Sequence, residues 1–266
     1  MMETKCNTGR VSRLLDRHTK VMGQHTPLFY QDPLELVSGS GVWLKDAAGA
    51  SYLDLYNNVP CVGHSNPRVV ANIAEQAATL NVHGRYLHEG VIEYVERLVS
   101  LHHGGIQSAI LGCSGTEATE MALTLARSVT GKQGIICTDS TYHGNSSLVG
   151  RLTALPVGND RGGVKSITTP QLFRPMAEGV SEAELLQLHL DQLEATIASF
   201  ADSGGFAGIM LCSILANEGL AIPPSGWFAE ATAKVSDAGG VVFADELQSG
   251  FARSGSWWGY EVSGFT

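Results

Sequence analysis

Two neighbouring carboxylates, Asp245 and Glu246, close the apolar run Val241-Val242-Phe243-Ala244. The run has the length and β-branched content of a buried strand. A carboxylate at the end of such a strand is costly to bury unless a cation or a donor meets it. One suitable cation is magnesium on a nucleotide. That chemistry needs G-x-x-x-x-G-K-[ST] upstream. The chain has only Gly131-Lys132 followed by Gln133, with no glycine-rich loop before it, so this reading is excluded. The other cation is a protonated ring nitrogen of a bound heteroaromatic group. Asp245 would hold the proton there and so make the ring an electron acceptor.

Two further stretches carry chemistry at matching places. LGCSGTEATEMALTLARSV follows an apolar run and opens a helix. Ser114 and Glu117 have capping-box spacing, and Gly115 lets an anion approach the backbone. The N–H groups of a first helical turn, with the Ser114 and Thr116 hydroxyls, make a phosphate cradle. The same residues equally describe an ordinary well-capped helix. In TDSTYHGNS, Tyr142 and His143 sit in a turn ended by Gly144. Tyr142 can stack on a flat ligand. The pair equally describes a core-edge tyrosine and a surface histidine.

The surrounding elements predict how these residues are placed. A short helix within 10–30 precedes a loop through Pro27 and Pro33, and 41–58 reads as a hairpin about Asp46-Ala-Ala-Gly49. Asn66 caps a helix with Pro67 at its first position, and its apolar residues 69, 70, 73, 74, 77 and 80 share one face. A second helix is predicted over Val91–Leu101. Strands are predicted at Ile106–Leu111, Gly134–Cys137, Gly208–Cys212 and Val241–Ala244, alternating with helices over Ser114–Val129, Ser181 to about Phe200, and Pro224–Ala238. Residues 150–180 read as a long irregular loop. The alternation predicts an α/β fold with a mostly parallel sheet, divided as an N-terminal segment with the hairpin, 1–62, and a large domain, 63–266. In such sheets ligands bind beyond the carboxyl ends of the strands. The stretches Cys113–Glu117, Asp139–Gly144, Ser213–Gly219 and Asp245–Gln248 are therefore expected to meet.

Composition narrows the classes. The net charge is −9 and no basic cluster occurs, which argues against a nucleic-acid groove or an anionic membrane surface. Apolar residues make up 44% and charged residues 16%, a globular balance. Cys6, Cys61, Cys113, Cys137 and Cys212 are odd in number and lack C-x-x-C spacing, so free thiols in a reducing compartment are expected. No signal-peptide core and no spanning apolar run is visible, and the expectation is a soluble cytoplasmic protein with no metal.

Taken in order, S-G-T-E-A, Y-H-G and A-D-E-L-Q-S-G-F-A-R-S-G resemble the class III pyridoxal-phosphate aminotransferases of fold type I, from about Leu34 onward. YLDLYNNVPCVGHSNPRVV and LNVHGRYLHEGVIEYVERL look closest to the branch containing ethanolamine-phosphate phospho-lyase. The resemblance implies a pyridoxal 5'-phosphate cofactor and a homodimer. It implies that Gly115 and Thr116 bind the cofactor phosphate with Ser114 nearby, and that Tyr142 stacks on the ring with His143 close. It also implies that Asp245 pairs with the ring nitrogen and Gln248 approaches the ring hydroxyl. Glu218 falls on an acid in the loop before Pro223-Pro224. Asn57, Asn58, Arg85 and Tyr86 would lie towards the substrate or the subunit interface.

Two departures qualify the resemblance. Ser213-Ile214 stands where family members often carry Glu-Pro, which weakens the case for a glutamate-type second substrate. The Schiff-base lysine of the family falls past Thr266, so the chain reads as the N-terminal, cofactor-cradling portion, with a sheet expected to show an uncovered apolar edge. Lys132, Lys165 and Lys234 read as surface lysines. Three functions remain: an aminotransferase for a primary amine or amino acid, a phospho-lyase eliminating phosphate from an amino-phosphate, and a non-catalytic partner subunit.

Overall fold

The structure, a computed structural model, describes residues 8–56, 61–103 and 105–265. The chain packs as two units, Met1–Leu87 and His88–Thr266. The boundary read from sequence, at 62/63, falls inside the first of them.

The first unit holds helix α1 (Thr8–Met22), strands β1 (Leu36–Ser40), β2 (Trp43–Asp46) and β3 (Ser51–Leu53), and helix α2 (Pro67–Thr79). The strands form an antiparallel sheet in the order β1-β2-β3, so the predicted hairpin gains a third strand. Its turn is fixed by Asp46. The carboxylate accepts from Tyr52 Oη at 2.9 Å and from the Ala48 and Ala50 N–H groups at 2.9 Å each. These donors, Tyr52 foremost, hold the Asp46 carboxyl below the usual carboxylate range. Asn66 caps α2 as expected, its side chain accepting from the Arg68 and Val69 N–H groups.

The second unit has helix α3 (Glu89–Ser100), helix α4 (Gly115–Thr130), strand β4 (Gly134–Thr138), a 3₁₀ turn at Val149–Arg151 and strand β5 (Val164–Ile167). Helix α5 (Glu182–Ala198), strand β6 (Phe206–Cys212), helix α6 (Trp227–Asp237), strand β7 (Val241–Asp245) and the short helix α7 (Gly259–Ser263) follow. Its sheet is wholly parallel in the order β5-β4-β6-β7. The α/β architecture read from the alternation is therefore present.

Side chains of the central strands alternate between two apolar layers, as the pleat requires. Ile136, Ile209 and Leu211 pack with Leu190, Leu193, Trp227 and Val235 of α5 and α6. Ile135, Cys137 and Met210 pack on the other face with Leu123 of α4, and with Val149 and Leu152. Buried throughout, β4 and β6 show no polar alternation, which is why they read as continuous apolar runs. Burial pushes the Cys137 thiol up to about 12, so it packs as a protonated apolar side chain.

Two expectations are corrected. Residues 106–111 form no strand. Ile106, Ile110 and Leu111 are exposed, and a strand exists only where a neighbour completes its ladder. The stretch 150–180 is not irregular throughout, because β5 pairs with β4 in register Ile135↔Val164 to Thr138↔Ile167. The four-residue run Val-Lys-Ser-Ile is too short to show a period. An apolar cleft lies against β7, the end strand of the sheet, lined by Ile106, Ala118, Ala122, Val242, Phe243 and Tyr260.

The Ser181 capping box is formed on both sides, with Ser181 and Glu184 exchanging backbone and side-chain bonds. On the same helix His189 is buried and neither ring nitrogen has a partner. Burial pushes its pKa down to about 4, with the Asp139 charge opposing slightly. Below the ordinary histidine value near 6.5 the unfolded chain takes up a proton that the folded chain refuses. Stability is therefore expected to fall as pH drops below about 6.5, by on the order of 2 kcal/mol between pH 7 and pH 5. His189→Leu is expected to flatten that slope in urea titrations at pH 7 and pH 5. An unchanged slope would show that other groups govern the acid limb.

Candidate functional site

A cavity opens at the carboxyl ends of β4, β6 and β7 and encloses about 610 Å³ of empty space, part of it open to solvent. Its lining comes from the strand-end stretches that the sequence singled out. Ser114, Gly115 and Thr116 belong to the start of α4. Tyr142, His143 and Gly144 follow β4. Ile214, Ala216 and Asn217 follow Cys212 at the end of β6. Asp245, Leu247, Gln248 and Ser249 end and follow β7.

The α4 end is built by its cap. Ser114 Oγ accepts the Glu117 N–H at 3.2 Å, and the Glu117 carboxylate reaches back to the Cys113 N–H at 2.6 Å. That reach ends one residue before the N-cap, so the expected box is displaced by a position. Thr116 Oγ1 bonds both Asn145 Oδ1 at 3.3 Å and the Asn145 N–H at 3.4 Å, tying the loop after β4 to the first turn of α4. Gly144 lies where these segments meet. A Cβ on Gly144 would sit 2.6 Å from Thr116 Oγ1, and its φ of +140° is one that side chains avoid.

The acid end is built on β7. Asp245 Oδ2 lies 2.7 Å from His143 Nδ1, and Oδ1 accepts the Leu247 N–H at 3.0 Å. The His143 side chain is fully buried and that of Asp245 is 15% exposed. Thr141 Oγ1 meets His143 Nε2 at 3.0 Å, so both ring nitrogens are engaged. Glu246 points elsewhere: its carboxylate accepts the Gly259 and Tyr260 N–H groups at 2.7 and 2.8 Å and the Ser249 hydroxyl at 2.8 Å. The paired acids thus divide the work. One faces the cavity, and the other pins the loop that follows it.

Cys212 stands beside this pair, with ligand atoms of His143, Cys212 and Asp245 within 4.8 Å of one another. Burial first, then the Glu218 and Asp245 charges, push the Cys212 thiol up, which keeps it protonated and a poor metal ligand.

Glu218 lies outside the lining. It accepts the Thr138 hydroxyl at 2.6 Å, and its second oxygen is buried without a partner. Gln248 Nε2 donates to Asn217 Oδ1 at 2.9 Å. Arg85 and Tyr86 occupy an exposed turn of the first unit, and Asn57 and Asn58 lie outside the described residues. Among the described residues no lysine lines the cavity. Lys165 bonds Ser199 and lies over the Phe200 ring, Lys132 reaches the Ala238 carbonyl, and Lys234 pairs with Glu194. Residues that the sequence did not single out are Thr141, Cys212 and Asn217. Their only signal was adjacency to a strand end.

The family model described as aminotransferase class-III matches residues 30–266. The chain belongs to the class III aminotransferases. This class III chain is 33% identical over 251 residues to "Alanine--glyoxylate aminotransferase 2-like" of Drosophila melanogaster, covering 91% of this chain and 51% of that protein. It is 27% identical to "Ethanolamine-phosphate phospho-lyase homolog 1" of Caenorhabditis elegans, covering 94% of this chain and 56% of that protein. Among solved structures, a phospholyase from Arthrobacter in complex with phosphoethanolamine superposes with a TM-score of 0.86 at 42% identity, over 94% of this chain and 60% of that one. An omega transaminase from Pseudomonas jessenii, in complex with PMP, shares the fold at 20% identity with a TM-score of 0.84, over 94% of this chain and 60% of that one. The chain spans about half the length of the curated relatives it matches. Class III aminotransferases use pyridoxal 5'-phosphate.

Proposed function

We propose that this chain supplies the pyridoxal 5'-phosphate cradle of an enzyme that transfers the amino group of a primary amine or amino acid. The observation that carries the reading is the Asp245–His143 pair in a cavity that also receives the first turn of α4. The lining fits the cofactor. The helix start, with Gly115 and the Ser114 and Thr116 hydroxyls, suits a phosphate. Half-exposed Tyr142 suits stacking on a flat ring. Asp245 suits a ring nitrogen, since a carboxylate with two protein donors still has lone pairs to offer.

When bound, the cofactor supplies an electron-accepting ring. The chain's own residues do the rest. Asp245 keeps the ring nitrogen protonated. His143 and the Leu247 N–H hold the Asp245 carboxylate in one orientation, and the burial of His143 keeps water from competing for it. Gln248 would approach the ring hydroxyl. The reactive amine is proposed to come from outside these residues, because Lys132, Lys165 and Lys234, the lysines of the unit that forms the cavity, are each held elsewhere. As the resemblance implies, the working form is a homodimer, and the buried thiols of Cys137 and Cys212 suit a reducing, cytoplasmic setting.

Elimination of phosphate is the second reading, favoured by the 42% identity to the phospholyase. On the assembled enzyme, release of ammonia and phosphate from phosphoethanolamine without a keto acid would mark elimination. A strict requirement for an acceptor would mark transamination. A stop codon directly after Thr266, with binding but no turnover, would mark a partner subunit.

A direct test of the missing amine is borohydride reduction after incubation with pyridoxal 5'-phosphate, read by intact mass. We expect no site-specific adduct on this chain. A single stoichiometric adduct that Asp245→Ala abolishes would show that one of its own lysines does the work.

A further inference from the structure

We propose that Asn217 is a positioning residue that locks together the three strand-end loops lining the cavity. Its side chain reaches all of them. Nδ2 donates to the Tyr142 carbonyl after β4 at 3.0 Å, and contacts Cys212 Sγ at the end of β6 at 3.7 Å. Oδ1 accepts from Gln248 Nε2, after β7, at 2.9 Å. Asn217 itself lines the cavity.

The physics favours such a hub. Loops beyond strand ends are mobile unless something fixes them, and backbone pairing stops where the strands stop. An amide carries donors and an acceptor on one rigid plane, so a single side chain can satisfy a carbonyl on one side and a side-chain donor on the other. Tyr142 is half-exposed and cannot be held by burial alone. The bond to its carbonyl fixes the backbone from which the ring projects. Thr116 and Asn145 secure the far side of the same loop. A cavity fixed in this way loses less freedom on binding a rigid ring.

The test has a cofactor-free arm and a cofactor arm, and only the second rests on the function proposed above. In the first, amide hydrogen exchange is followed in the ligand-free 266-residue chain. Asn217→Ala is expected to speed exchange about tenfold at 141–145 and at 246–249, leaving α5 and α6 unchanged. Asn217→Asp keeps the acceptor for Gln248 and loses the donor to Tyr142. It is expected to speed exchange at 141–145 only. In the second arm, Asn217→Ala is expected to weaken pyridoxamine 5'-phosphate binding about tenfold and to erase the circular dichroism induced in its near-ultraviolet band. Unchanged exchange at both loops, or acceleration spread evenly over the sheet and helices, would overturn the proposal. If the wild-type chain binds no cofactor, the cofactor reading falls, and the exchange pattern alone still decides the role of Asn217.

Discussion

Asp245→Asn is expected to weaken binding of pyridoxamine 5'-phosphate to this chain between about tenfold and a hundredfold. A hydrogen bond to a charged group contributes about 1.5–3 kcal/mol, and each 1.4 kcal/mol is a factor of ten. The substitution is nearly isosteric. It keeps an oxygen for the Leu247 N–H, removes the charge that would hold a proton on the ring, and turns an NH2 group in place of an oxygen towards His143 Nδ1. Salt should affect the wild type and the variant alike at the phosphate end, while the difference between them persists because the Asp245 side chain is only 15% exposed. Equilibrium dialysis at two salt concentrations checks both points. Equal affinity in the two proteins would mean that Asp245 serves His143 and the β7 loop and meets no ring nitrogen.

Trp227→Ala is expected to cost about 3–5 kcal/mol of stability, the range for large-to-small changes at fully buried aromatic sites. Trp227 is 0% exposed, begins α6, and packs edge-on against Phe228 at 5.1 Å between ring centroids. It belongs to the apolar layer that joins α5 and α6 to β4 and β6. Domains of this size hold about 5–15 kcal/mol in all, so the variant should be substantially unfolded in mild urea where the wild type is not. The indole N–H has no partner, so apolar contact supplies the stabilisation. Trp227→Phe should recover most of it. Chemical denaturation of the three proteins decides the matter, and a loss below about 1 kcal/mol for Trp227→Ala would show that the layer collapses around the gap.

What the sequence showed of this arrangement follows from where physics is local. β4, β6 and β7 are short apolar runs punctuated by glycine and polar residues, and the helices carry caps, so both were legible. Because the sheet is parallel, the strand ends must gather on one edge, and the four stretches expected to meet do line one cavity. Strand 106–111 failed because its composition is strand-like but pairing is a property of the neighbour, which composition does not contain. β5 failed for the converse reason: its partner makes it a strand.

At the site, Ser114, Gly115, Thr116, Tyr142, His143, Asp245 and Gln248 were all picked out beforehand and all line the cavity. The direction of Glu218 was not legible, since it depends on which loop face meets Thr138. Nor was the Asn217 hub, whose three contacts come from residues 5, 31 and 75 positions away in the chain.

The cavity beyond β4, β6 and β7 is proposed to receive the cofactor with its phosphate at α4 and its ring nitrogen at Asp245. A crystal structure of this chain soaked with pyridoxamine 5'-phosphate tests it most directly. The expected result is the phosphate against Gly115 and Thr116, the ring beside Tyr142, and the ring nitrogen within hydrogen-bonding distance of Asp245. A cofactor bound elsewhere, or bound here with its phosphate turned towards Asp245, would contradict it.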